Sequence, residues 1–380
     1  MKKILFVIED LKFGGVEVSL VNLLNSIDFE EHNYSAVLLM WGKHYEIMSK
    51  LKKNPRVKVK IIKTRFLDLL SSVAAKLIGI NKAERIKNIL IRTLVIFAIK
   101  MQRADVVIRY HQNAIKSLFT HLGTKSKNIT WYHSSNYNDY YLRKDYIEKC
   151  DKVVVVNEFC KKRMADSAPY LADKLFVVKN IIPYREIREK AEVDKQIFSD
   201  SYFNIVTCAR LDGEKGIDIA VKACNLLKDK IPKMKWFIVG GIPDDRTEYA
   251  NDVFEQIANN GLEDTFICIG AKSNPYPYFK QCDLYVQPSR EEAQPLAIAE
   301  AQICDAVIVS TDTIGAKSLI EDGQSGFVVD ISSEALADKI YELYKDKSKR
   351  KEIKRNLADV NFEAMNRDIL EDFYNLIEFA

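Results

Sequence analysis

None of the seven cysteines lies in a Cys-x-x-Cys pair, and an odd total cannot close into a complete disulfide framework, so they read as reduced thiols of a cytosolic core. No secretory signal follows Met1: the short run Ile4-Leu5-Phe6-Val7-Ile8 is cut off by Glu9-Asp10 and reads as a first strand. No Gly-x-Gly-x-x-Gly follows that strand, because Phe13-Gly14-Gly15-Val16-Glu17-Val18-Ser19 has the wrong spacing, which argues against a Rossmann dehydrogenase. No metal-ligand cluster such as Asp-x-Asp stands beside a strand end, so neither a metal nor a cofactor is expected. There is no internal repeat and no low-complexity tract.

The net charge is small, at +4, but its distribution along the chain is uneven. From Lys43 to Arg103 sixteen Lys and Arg face three acids (Glu46, Asp68 and Glu84), a balance of +13 that leaves −9 for the rest of the chain. The longest apolar run of this basic block, Thr93 to Ile99, falls far short of the roughly 20 residues that a membrane span requires. No nucleic-acid motif accompanies the charge.

With 47% hydrophobic and 29% charged residues, the composition is that of an ordinary globular protein. At 380 residues the chain exceeds the roughly 250–300 at which one core stops growing, so two domains are expected. Short β-rich runs alternate with helix-length segments throughout, the pattern of parallel sheets joined by crossovers. Strands are expected near 3–8, 35–40, 57–62, 105–109, 128–132 and 152–156, then near 203–208, 235–239, 265–269, 283–286, 306–309 and 326–329. Six and six predict an α/β protein of two doubly wound, Rossmann-like parallel sheets facing across a cleft. The boundaries read as 1–190, 191–360 and a tail 361–380, with the linker near 180–200. In the tail, Phe362, Met365, Ile369, Phe373 and Ile377 recur at helical spacing, and this final helix is expected to cross back to the first domain.

Two segments carry candidate chemistry. Ala209-Arg210-Leu211-Asp212-Gly213-Glu214-Lys215-Gly216 follows the strand Asn204–Cys208 and precedes a helical pattern. Such a turn can bring an Arg fork and a Lys point charge onto one anion, a diphosphate being the natural guest; two solvated cations on a loop give the same pattern. Ser289-Arg290-Glu291-Glu292-Ala293-Gln294-Pro295-Leu296 also follows a strand and opens a helix, with Pro295 suited to the first helical position. The first-turn amides then lie at the sheet's carboxyl edge, where phosphates bind in open α/β folds. Glu292 and Glu300, about one and a half turns apart, could grip hydroxyls at two ends of a sugar nucleotide; an acidic, solvated helix start is the alternative.

These residues together resemble a known family. The Ser-x-x-Glu…Pro-Leu…Glu-Ala run with its Glu292–Glu300 spacing, preceded by Arg-Leu…Lys-Gly, is similar to family 4 of the retaining GT-B glycosyltransferases. Gly14-Gly15 resembles that family's first glycine loop; Val239-Gly240-Gly241, Gly270 and Asn274-Pro275 fall at its donor-domain loops, and Gly326-Phe327-Val328-Val329 at its closing segment. The resemblance implies a metal-independent hexosyltransferase using a nucleotide-diphosphate sugar, UDP being the nucleotide most frequent in the family. Arg210 and Lys215 would hold the diphosphate, Glu300 the ribose and Glu292 the transferred sugar. The segment Ala293, Gln294, Pro295 and Leu296 would assist through the amides that it carries, Gly270, Asn274 and Pro275 would frame the base, Gly15 would join the donor contacts, and His133 would face the donor sugar. Ala293 stands where the family often has glycine, and Ser318 where a Pro-Glu pair is common. A GT-B nucleotide-sugar epimerase, or a non-catalytic subunit of the same fold, would share the architecture.

The acceptor half carries two further signals. Trp131, Tyr132, Tyr137, Tyr140, Tyr141 and Tyr146 lie within sixteen residues and suit either stacking on a sugar or an ordinary packed face. In a helix over 82–103, Lys82, Arg85, Arg92, Lys100 and Arg103 fall within an arc of about 80°, opposite Ile86, Leu90, Leu94, Phe97 and Met101. A basic stripe beside apolar surface suits an anionic membrane face, and with it a lipid-linked glycan acceptor and a peripheral place on the inner face of the cell membrane. A helix docked on the sheet, its cations merely solvated, gives the same pattern.

Overall fold

The computed structural model describes residues 1–12, 14–111, 125–137, 147–243 and 247–379. The chain divides into two compact units: Met1–Ile181 with Arg367–Ala380, and Ile182–Asn366.

The first unit runs β1 (Lys2–Val7), α1 (Gly15–Ser26), β2 (Tyr34–Met40), β3 (Val57–Ile61), α2 (Arg65–Ile78), α3 (Ile80–Gln102), β4 (Val106–Arg109), β5 (Lys127–Tyr132), β6 (Lys152–Val155), α4 (Glu158–Ser167) and β7 (Leu175–Val177). Its strands are parallel, in the order β3-β2-β1-β4-β5-β6-β7. Central strands read as unbroken apolar runs such as Ile4-Leu5-Phe6-Val7 because both faces are covered. Val95 and Ile99 of α3 pack on Leu5, Val7, Val37, Leu39 and Val107, which fixes α3 along one face of the sheet.

The second unit comprises α5 (Tyr184–Ala191), β8 (Phe203–Cys208), α6 (Ile217–Leu227), β9 (Met234–Val239), α7 (Thr247–Asn259), β10 (Phe266–Cys268), α8 (Tyr276–Gln281), β11 (Leu284–Gln287), α9 (Leu296–Ile303), β12 (Ile308–Thr311), α10 (Ile314–Leu319), β13 (Phe327–Val329), α11 (Ser333–Lys345) and α12 (Lys347–Ala358). Its sheet is also parallel, ordered β10-β9-β8-β11-β12-β13. Each sheet therefore steps outward from its first strand in one direction and then resumes on the other side, the doubly wound topology. The last helix, α13 (Phe362–Phe379), begins in the second unit and ends in the first. There Phe373 stacks on Phe6, and Lys2 Nζ donates to the Ile377 carbonyl at 2.7 Å.

Two expectations about strands need correction. The first sheet has seven strands rather than six: Leu175–Val177 is a three-residue edge strand, too short to show a period. Strand β12 begins at Ile308, two residues later than its apolar run suggests. Asp305 turns left-handed (φ 57°) and Ala306 N returns to the Ala301 carbonyl, so the helix exit occupies the start of that run. Residues 184–191, inside the segment read as linker, form α5, whose Ile187 and Ala191 join a core of the second unit.

Candidate active site

In the second unit, β8 and β11 are hydrogen-bonded neighbours across the point where strand order reverses. The loops leaving their carboxyl ends, 209–216 and 288–295, therefore lie side by side, where open α/β sheets bind ligands. Their contact requires glycine. Gly216 takes φ 65°, and a Cβ there would sit 2.0 Å from the Pro288 carbonyl oxygen.

Arg290 locks the two loops. Its guanidinium grips Asp218 in a fork, Nη1 to Oδ1 at 2.8 Å and Nη2 to Oδ2 at 2.7 Å, while Nη1 also donates to the Gly213 carbonyl. Its backbone N donates to the Glu214 carbonyl. Burial disfavours the Asp218 carboxylate, but Arg290 and the Tyr249 hydroxyl, which donates to Oδ1 at 2.8 Å, outweigh it and hold the carboxyl below its ordinary range. Sequence reading assigned Arg290 no part, because its partners lie in the other loop and in the helix that follows it and leave no local spacing signal.

Glu292 is the centre of a second network. Its Oε1 accepts from Lys215 Nζ at 2.8 Å, Ser289 Oγ at 2.8 Å and Gln287 Nε2 at 3.2 Å. Gln287 Nε2 also donates to Ser289 Oγ, and the buried Tyr285 hydroxyl donates to Gln287 Oε1. Burial, the nearby Cys208 and the carboxylates of Glu292 and Glu300 push the Tyr285 phenol well above its ordinary range, so it remains a neutral donor. The side chain of Glu292 is only 11% exposed, and this network holds it in one orientation at the sheet's edge.

The remaining second-unit residues divide by role. Arg210 is half-exposed and pairs with Asp212 Oδ2 at 3.1 Å, so each of the two loop cations is matched to its own carboxylate rather than gathered on one point. Pro295 takes the N-cap position of α9, with Leu296 as the first helical residue; its ψ of 113° is extended, which corrects its expected place by one position. Ala293 is buried, and Gly315 fits so closely that a Cβ would lie 2.9 Å from the Ala293 carbonyl oxygen and 2.5 Å from Pro295 Cδ. Glu300, in the second turn of α9, receives the Tyr276 hydroxyl at 3.5 Å. Burial, followed by the Glu300 carboxylate, pushes the Cys208 thiol up to about 12. Gly270 is left-handed (φ 71°) after β10, and Pro275 caps α8. The Asn274 side chain is tied into the fold, donating to the Lys190 carbonyl at 2.8 Å and accepting from Tyr276 N.

His133 and Gly15 belong to the first unit, where Gly15 opens α1 and His133 follows β5. The His133 ring packs against Tyr110 (4.7 Å between centroids) and lies parallel to Trp131. Desolvation, with His111 adding repulsion, lowers its pKa to about 3, so it is a neutral imidazole at physiological pH. His111, just past β4, is held to about 4 by burial and by Lys12 and Arg109. It lines a cavity of about 1100 Å³ with Glu9, Glu17, His44, Arg85 and Arg92. The sequence reading missed His111, whose only signal is its place after a strand. Trp131, Tyr132 and Tyr137 are buried, the packed-face alternative rather than the sugar-stacking one: Trp131 and Tyr132 point to opposite, covered faces of β5, and Tyr137 packs edge-on against Tyr132. Phe13, Tyr140, Tyr141 and Tyr146 lie outside the described residues.

The fold is of the GT-B kind, two doubly wound parallel-sheet units, and residues 189–359 match the family described as glycosyl transferases group 1. The chain is 27% identical over 183 residues (48% of it, 46% of the relative) to the N,N'-diacetylbacillosaminyl-diphospho-undecaprenol alpha-1,3-N-acetylgalactosaminyltransferase of Campylobacter jejuni. It is 22% identical over 176 residues (44% and 45%) to the capsular polysaccharide biosynthesis glycosyltransferase CapM of Staphylococcus aureus. These matched stretches span about half the length of the curated relatives. Anabaena Alr3699/HepE, solved in complex with UDP and glucose, is similar in fold over 99% of this chain and 100% of that one, with a TM-score of 0.77 and 18% identity.

Proposed function

We propose that the chain is a retaining glycosyltransferase that moves a hexose from a UDP-sugar to a hydroxyl of a lipid-linked glycan, working on the cytoplasmic face of the membrane. The observation that carries this reading is the Lys215–Glu292 pair at the adjoining carboxyl ends of β8 and β11. It puts a cation for the leaving diphosphate beside a fixed carboxylate able to accept from sugar hydroxyls. Relatives named for glycan synthesis, and a fold neighbour solved with UDP, support the same choice of substrates.

Arg210 and Lys215 carry the diphosphate, the amides near Ala293–Leu296 complete its cradle, and Glu300 takes the ribose hydroxyls. Gly270, Asn274 and Pro275 border the base, and Gly15 joins the donor contacts. As the glycosidic C–O bond breaks, its electron pair leaves on the diphosphate, where the two cations stabilise the added charge without calling on a metal. The acceptor oxygen attacks from the same face and its proton passes to a departing phosphate oxygen, which retains the anomeric configuration. His133, neutral, contributes a hydrogen bond to the sugar rather than a proton.

Calorimetric titration with UDP-, GDP- and ADP-sugars tests the donor assignment. Glu300→Gln and Arg210→Ala are expected to weaken binding of the preferred donor by about tenfold or more, as loss of charge-assisted contacts worth roughly 1.5–3 kcal/mol implies. Unchanged affinity in both variants removes the assignment, and tight donor binding without hydrolysis or transfer would mark a non-catalytic subunit.

A further inference from the structure

Helices α2 and α3 form a hairpin through Gly79 (φ 86°), and only part of it packs on the fold. On α2, Leu67 and Ser71 turn inward, whereas Phe66, Leu69, Leu70, Val73 and Leu77 are exposed, up to 82% for Leu77. At about 100° per residue these five fall in one arc on the side away from Leu67. On α3, Val95 and Ile99 hold the sheet, and the opposite side carries Ile86, Ile89, Leu90, Phe97 and Met101, with Phe97 and Met101 each 64% exposed. The pattern that suggested a docked helix thus has a second apolar face that docks on nothing among the described residues. A surface of this extent, rimmed by charge, is the mark of an interaction site rather than of scattered apolar residues.

The rim identifies the partner. Both acids of the hairpin are occupied: Asp68 pairs with Lys43 and Lys87, and Glu84 with Lys87. Lys76, Lys82, Arg85, Arg92 and Lys100 form no ion pair with a described residue. On α3 the basic arc directly borders the exposed apolar arc. At the hairpin tip Leu77, Ile78 and Ile86 floor a shallow recess of about 470 Å³ flanked by Lys82 and Arg85, an apolar notch under two cations that suits a phosphate with an acyl chain beneath it. A protein partner would need a long acidic and apolar complement; an anionic bilayer offers both along its whole plane.

We infer that the α2–α3 hairpin seats in the headgroup layer of an anionic bilayer, its leucines and phenylalanines entering the acyl boundary and its unpaired cations meeting lipid phosphates. This rests on the membrane-surface part of the function proposed above and sharpens it, because apolar insertion makes attachment partly resistant to salt, whereas a charge-only contact is released by screening. Arg85 and Arg92 also line the first-unit cavity, which places that cavity beside the bilayer surface.

The test is co-sedimentation of the full chain with vesicles of phosphatidylcholine alone or with phosphatidylglycerol, at 0.1 and 1 M salt, without nucleotide sugar. Wild type should favour the anionic vesicles and keep a measurable bound fraction at 1 M salt. Leu70→Ser/Leu77→Ser/Phe97→Ser should lose that salt-resistant fraction by about tenfold or more, and Lys76→Glu/Lys82→Glu/Lys100→Glu should lose the preference for anionic lipid. The altered side chains are exposed, so circular dichroism and melting should match wild type, and donor hydrolysis without lipid reports separately on the proposed function. No binding by wild type, equal binding by all three proteins, or complete release by salt overturns the inference. So does a self-associated wild type that the apolar variant converts to monomer with no lipid bound in either case, which would give the face to a second copy of the chain.

Discussion

Arg290 clasps Asp218 with both arms of its guanidinium, at 2.8 and 2.7 Å, and thereby joins the loop after β11 to the helix that follows the loop after β8. Neither residue is hydrogen-bonded to Lys215 or Glu292, so their part is to position the loops that carry that pair. Arg290→Lys keeps the charge but not the fork. The pair is partly exposed, which limits the stability loss to about 1 kcal/mol. Donor affinity, which depends on both loops, should fall by about three- to tenfold, as read by calorimetry alongside a melting curve. Equal affinity at an unchanged melting temperature would deny the clasp this role.

Lys215 is already engaged before any diphosphate arrives, since Glu292 holds it at 2.8 Å. Glu292→Gln removes this competing carboxylate. Free nucleoside diphosphate should therefore bind at least as tightly as to wild type, by up to about tenfold more, while transfer falls by about a hundredfold or more through loss of the sugar contact. Lys215→Ala should do the opposite to binding and cost about 2–3 kcal/mol of stability, because a mostly buried carboxylate loses its cation and keeps only Ser289 and Gln287. Parallel titration and turnover of both variants decide the matter; a fall in diphosphate affinity in Glu292→Gln would reverse the assigned roles.

Gly216→Ala should destabilise the second unit by about 3 kcal/mol. The new methyl meets the Pro288 carbonyl at a φ of 65°, and backbone strain adds to the clash. Gly213→Ala, three residues earlier and in open space, is the control and should melt near wild type. Similar melting of both variants would show that the two loops are not pressed together.

The pKa of His133 is depressed from 6.5 to about 3 by burial, so the unfolded chain takes up this proton before the folded one does. Its stabilising neutrality is complete above pH 6.5 and is lost as pH falls toward 3, at about 1.4 kcal/mol per pH unit. His133→Asn lacks this liability. The stability difference between wild type and variant, from chemical denaturation at pH 7.5 and 5.5, should therefore shift by about 1.4 kcal/mol in favour of the variant at the lower pH. A pH-independent difference would mean that His133 is solvated.

The alternating architecture was legible because parallel strands buried on both faces, such as Ile4–Val7 and Leu284–Val286, write themselves as short apolar runs. The edge strand Leu175–Val177 was not, having three residues and no periodicity. At the site, Lys215 and Glu292 could be named from separate motifs, but their mutual 2.8 Å contact depends on β8 and β11 being neighbours, a fact of topology. Arg290 stayed invisible for the same reason. The α2–α3 hairpin shows a different limit: helical periodicity locates its apolar arcs, yet which arc meets the sheet is decided by packing, and here Val95 and Ile99 win over Phe97 and Met101.

The return of α13 to the first unit gives synthesis on the ribosome an unusual order. Residues 182–366 form a complete unit of consecutive chain, whereas the surface of the first unit around Phe6 and Lys2 gains Phe373 and the Ile377 carbonyl only after that whole unit has emerged. The part made first is therefore the part finished last, and until α13 docks it exposes apolar surface of the kind that chaperones bind in nascent chains.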